Sequence, residues 1–79
     1  MMKNYNIKIL FGSNVREFRH NKGISQEKLA ELSGLHRTYI SDVERGSRSI
    51  SLDNIKKIAN ALEIEVFKLF IFNEEDHYD

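Results

Sequence analysis

Seventy-nine residues with no Cys make a single domain, residues 1–79, with no room for a second core, and exclude a disulfide framework or a thiolate zinc site. The net charge is zero, yet residues 1–62 carry a net of +5 and residues 63–79 a net of −5: a body that attracts phosphate, then an acidic end that stays away from it, although plain solvated surface gives the same tally. No apolar run reaches bilayer-spanning length, and Ile7–Phe11, broken by Lys8, does not read as a signal peptide, so a soluble, cytoplasmic chain with no membrane partner is expected.

The expected fold is all-α: one compact domain of five helices at about 8–22, 26–33, 37–45, 52–62 and 65–72. In the first, Leu10, Phe11, Val15 and Phe18 follow the helical period, which stops at Asn21–Lys22–Gly23. Ser25 caps the second, which opens Gln26–Glu27; Lys28 at the third position leaves the reciprocal Glu of a capping box absent. Gly34 ends this helix and Gly46 ends the third, so with no Pro the four glycines are expected to punctuate the chain. Ser47–Arg48–Ser49 is a polar loop. Ser51 then caps a helix with Leu52, Ile55, Ile58, Ala59 and Leu62 on one face and Lys56–Lys57 on the other. The fifth segment, Glu65 to Phe72, holds six apolar residues in eight. The β-branched and aromatic residues of Glu63–Phe72 also fit a strand, but four preceding helices leave a strand no sheet to join. Residues 73–79 (NEEDHYD) are expected to form a frayed acidic tail.

The stretch Gln26 to Arg45 has the spacing of a helix-turn-helix. Ala30 is small where two helices cross, Gly34 sits at the turn, and Leu29, Leu35, Ile40 and Val43 supply the inner faces. The second helix of the pair then turns Arg37, Thr38, Ser41 and Asp42 outward, where side chains read base edges. Arg37 is placed to give two hydrogen bonds to guanine, with a surface arginine bonded to a phosphate or to nothing as the competing account. Thr38 is placed for a thymine methyl or a phosphate, and Ser41 for a base edge directly or through water. Asp42 can accept from a cytosine amine or pair with Arg45 three residues on; the pairing is favoured, because a lone carboxylate near phosphate is repelled. Gln26 at a helix start, Arg45, Ser47, Arg48 and Ser49 after the recognition helix, and the Tyr39 hydroxyl are the phosphate candidates, with Arg16 and Lys22 behind them. For Ser47 and Ser49 ordinary loop chemistry is the competing account.

The run Ser25–Gln26, Leu29–Ala30, Gly34, Arg37 to Ile40 and Glu44–Arg45–Gly46 resembles the lambda-repressor-like (Cro-type) helix-turn-helix family over residues 11 to 70. Within it, LHRTYISDVERGSRSISL is similar to the controller proteins of restriction–modification systems. That resemblance implies a homodimeric regulator of transcription acting on its own gene and the endonuclease gene. It also implies a structural ion pair between Arg19 and Glu44. Three positions depart from the broader pattern: Ile50 stands where Pro is common, His36 caps the recognition helix in place of Ser or Thr, and Leu32 replaces a polar residue.

An apolar segment wider than one small core can cover points to a two-fold dimer, with Val66, Phe67, Phe70 and Ile71 as the interface; Phe67 and Phe70 filling the monomer core is the alternative. A dimer would set two recognition helices about 34 Å apart on a near-palindromic double-stranded operator. Catalysis finds no support: His20, His36 and His77 lack metal-ligand spacing, and no nucleophile–base signature or phosphate-cradling glycine loop is present. No catalytic residue, metal, cofactor or small-molecule ligand is expected. The competing readings are a phage-type, stress or developmental repressor of the same fold, and an antitoxin-like protein-interaction module.

Overall fold

The computed structural model describes residues 6–72; the expected tail at residues 73–79 lies outside them. Four α-helices follow one another, α1 (Ile7–Lys22), α2 (Gln26–Ser33), α3 (Arg37–Arg45) and α4 (Leu52–Leu62), and a short 3-10 helix, Val66–Phe70, closes the order. The all-α class expected from periodicity is therefore observed. The first helix starts at Ile7 because the Asn6 side chain accepts from the Lys8 backbone N–H at 2.9 Å. Ser25 and Ser51 cap α2 and α4 in the same manner, whereas His36 makes no side-chain cap bond for α3.

Each element gives the core a wholly buried aliphatic residue: Val15, Leu29, Ile40, Ile58 and Leu69. Removing each of these from water contributes about 1.5–3 kcal/mol. Phe18, Ile24, Leu35, Tyr39, Ile50, Ile64 and Val66 pack around them, half-buried.

The glycines do not all punctuate. Gly12 lies inside α1 and is buried where that helix crosses the end of α3. A Cβ there would press on the Val43 carbonyl oxygen and lie 2.8 Å from that of Glu44. Both obstacles are backbone, so the helices would have to separate. Gly12→Ala is accordingly expected to cost about 3 kcal/mol or more. A fall in urea midpoint checks this; an unchanged midpoint would mean the crossing relaxes freely.

The fifth helix expected at 65–72 is not formed. Only Val66–Phe70 turn, as a 3-10 helix without a side-chain cap, and Ile71 is already extended at φ −86°, ψ 112°. The reason is a long-range competitor. The Asn14 side-chain amide donates to the Leu69 carbonyl at 2.9 Å and the Ile71 carbonyl at 3.0 Å. Those oxygens are satisfied by α1 rather than by N–H groups of a continuing helix.

The turn after α4 was equally hidden. Glu63 takes the left-handed conformation at φ 61° that a glycine usually supplies, at a cost of about 1–2 kcal/mol. Its carboxylate meets the Lys22 ammonium at 2.8 Å, tying the ends of α1 and α4 together. That hydrogen bond and charge hold the Glu63 carboxyl below its ordinary range.

Candidate nucleic-acid interface

Helix α3 is aimed by its own pattern of burial. Ile40 and Val43 are buried toward the domain, so the opposite side is left to solvent. Arg37 and Thr38 are exposed at its start, with Ser41 and Asp42 half-buried one turn on. The turn that sets this orientation passes through Gly34, at φ 75°. A residue with a Cβ is strained there, so α2 and α3 keep their crossing.

Arg37 is connected to the core by a chain of polar contacts. Its guanidinium donates from Nη1 to Gln26 Oε1 at 3.4 Å, and the other end of that amide donates from Nε2 to Glu44 Oε1 at 3.0 Å. Glu44 in turn accepts from Arg19 Nε at 2.6 Å and Nη2 at 3.1 Å. The Glu44 side chain is 0% exposed and that of Arg19 10%. This is the ion pair the resemblance implied, and it is bidentate and desolvated. Arg19 Nη1 also donates to the Ile24 carbonyl at 2.9 Å, while Arg16 stands 3.8 Å from Glu44 at the rim. Gln26 thus bridges a buried charge pair and the residue expected to read guanine, which its position in the sequence did not reveal.

At the other end of α3 the polar residues are bonded to one another. Arg45 donates to Ser41 Oγ at 2.6 Å and to the Asp42 carboxylate. Arg48 Nε lies 3.5 Å from the second Asp42 oxygen, and its guanidinium sits over the Tyr39 ring, 4.9 Å from the centroid. The Tyr39 hydroxyl accepts from Asn54 Nδ2 at 3.0 Å, so Tyr39 is fixed to α4 and half-buried. Ser47 bonds the Asp42 carbonyl through its backbone N–H at 3.1 Å and its hydroxyl at 3.2 Å. Ser49 is exposed beside it. Arg45, Ser47 and Arg48 therefore converge on one side of the helix end, a cationic edge beside the outward face.

A helix-turn-helix family model matches residues 15–69. The chain belongs to the helix-turn-helix family. Control protein C.BamHI of Bacillus amyloliquefaciens is 56% identical over 68 residues, which cover 85% of this chain and 84% of that protein. Control protein C.SmaI of Serratia marcescens is 49% identical over 63 residues, covering 80% and 75%. Among solved structures, the restriction-modification controller protein C.AhdI from Aeromonas hydrophila matches with a TM-score of 0.81 at 55% identity, over 84% of this chain and all of that one. This helix-turn-helix chain is a DNA-binding transcription regulator, and its family is one of such regulators rather than of enzymes. Among the described residues, no helix is long and apolar enough to cross a membrane.

Of the residues expected at a dimer contact, Phe67 and Ile71 are each 58% exposed and Phe70 38%. Val66 instead packs half-buried against the core. The Phe70 ring lies 5.1 Å from that of Phe11, so it serves the monomer as well. Asn14 was not foreseen as the clip that presents this segment. Its signal was available: a polar residue three and four positions after Phe11 and Leu10, on the stripe that faces inward.

Proposed function

We propose that this chain is a restriction–modification controller, acting as a homodimer on a near-palindromic double-stranded operator to regulate its own gene and that of the endonuclease. The observation that carries this reading is the outer face of α3, where exposed Arg37 and Thr38 lead to Ser41 and end at the Arg45–Arg48 edge. A helix of that width and charge fits the major groove with its N-terminal residues against the bases. The controllers among the relatives support the choice of circuit.

In this reading Arg37 gives the base contact with Thr38 and Ser41 beside it, while Asp42, the remaining base-edge candidate, pairs with Arg45 instead. Gln26, Tyr39, Arg45, Ser47, Arg48 and Ser49 line the two backbones. Phe67, Phe70 and Ile71, with Val66 beneath, form the two-fold contact. Protection of a symmetric site upstream of its own gene, beside methyltransferase and endonuclease genes, is the expected footprint. Arg37→Ala should weaken operator binding by about 1–3 kcal/mol per half-site and relax the preference at one base pair. Selection from a random duplex pool measures that preference, and an unchanged profile would remove Arg37 from the readout.

A further inference from the structure

Three residues assigned to the DNA backbone at the end of α3 and in the loop that follows share one partner. The Asp42 carboxylate engages Arg45 through one oxygen and lies 3.5 Å from Arg48 Nε through the other. Its main-chain carbonyl accepts from Ser47 twice, at 3.1 Å and 3.2 Å. Second contacts hold both cations in place: the Ser41 hydroxyl at 2.6 Å for Arg45, and the Tyr39 ring for Arg48.

We propose that Asp42 is a specificity-determining residue whose carboxylate occupies Arg45 and Arg48 where a DNA phosphate would otherwise sit, and so suppresses binding to duplexes of arbitrary sequence. The inference rests on the reading of α3 as the DNA-facing helix.

The balance of effects favours suppression over simple anchoring. The Arg45 and Arg48 side chains are 55% and 50% exposed, and ion pairs in that setting add little to the stability of a fold. Binding to arbitrary DNA, by contrast, comes almost wholly from neutralising phosphates and releasing their counterions. Each time the chain lands in a new register, the two arginines must exchange a carboxylate for a phosphate. The carboxylate they leave stands unpaired among phosphates and is repelled. On the operator, base contacts must hold the one register in which the guanidinium N–H donors left free by Asp42 face phosphate, so that the carboxylate stays paired there and is displaced only in other registers. The acidic residue therefore opposes the wrong sites more than the right one, which is how discrimination arises.

The test uses Asp42→Asn and Asp42→Glu in the full chain. The first keeps the size and the main-chain cap on Ser47 but loses the charge; the second keeps the charge. Affinity is measured across a salt series on sheared genomic duplex and on a fixed duplex selected by the parent chain. For Asp42→Asn, binding to genomic duplex should tighten about tenfold, with a log–log salt slope steeper by about 1–2. Binding to the selected duplex should change less than about threefold, so the discrimination ratio falls; Asp42→Glu should track the parent. Unchanged affinity and slope on genomic duplex would overturn the assignment. Loss of preference at a single base pair would make Asp42 a base reader instead, and equal weakening on both duplexes would make it an anchor. If the parent chain binds no duplex at low salt, the DNA-facing reading fails, and this inference with it.

Discussion

Glu44→Ala is expected to destabilise the domain by about 3–5 kcal/mol, read as a large fall in the urea midpoint. The carboxylate is wholly buried and accepts from Arg19 twice and from Gln26 once. Its removal leaves the Arg19 guanidinium desolvated, with the Ile24 carbonyl 2.9 Å from Nη1 and the His20 ring nitrogen 3.3 Å from Nη2 as its remaining neighbours. At about 0.05–0.15 kcal/mol per residue, a domain this small has roughly 4–12 kcal/mol in total, so one such loss is a large share. The pair itself need not be worth that much. Much of the cost is the stranded charge, and replacing both partners by apolar residues, Arg19→Met with Glu44→Leu, should recover a good part of it. If Glu44→Ala instead stays within about 1 kcal/mol of the parent, Arg19 has found water, and the pair contributes no more than a surface one.

Adjacent spacing was enough to read most of this fold, and tertiary competition explains what it missed. Leu29, Ala30, Gly34, Ile40 and Val43 repeat at offsets that only a tight helix pair buries together, and all but Gly34 are buried. The fifth element was misread because helical periodicity says nothing of a donor 55 residues away; Asn14 reaches the Leu69 carbonyl across that separation. Gly12 looked like punctuation because the sequence shows that a Cβ is missing without showing what fills its place. The site divides in the same way. Which residues face outward on α3 followed from the positions of Ile40 and Val43. That Gln26 would join Arg37 to Glu44, or that Asp42 would engage two arginines, depends on side-chain reach between elements and was open until they were placed. The Asp42–Arg45 contact was foreseeable because it lies within one helix turn; the contact with Arg48, across the Gly46 stop, was not.

Phe67→Glu is expected to convert the proposed dimer to monomer and to weaken binding to a two-half-site operator by about a hundred- to ten-thousand-fold, the advantage that linking two modest contacts confers. Phe67 suits this experiment better than Phe70. Its side chain is 58% exposed, so a glutamate there sits in water in the monomer and should change folding by no more than about 0.5 kcal/mol. Phe70 packs 5.1 Å from Phe11, and a charge at that position would mix unfolding with dissociation. Across a two-fold axis each introduced carboxylate would be desolvated near its symmetry mate, with Glu63 and Glu65 of the same acidic segment close in sequence. The ring it replaces, by contrast, loses exposed apolar surface on assembly. Sedimentation velocity reports the assembly state, and titration on a single half-site should show the base preference of Arg37 intact in the monomer. Should Phe67→Glu sediment as an undiminished dimer, the two-fold contact lies on another apolar surface, with exposed Leu52 at the start of α4 the next residue to replace.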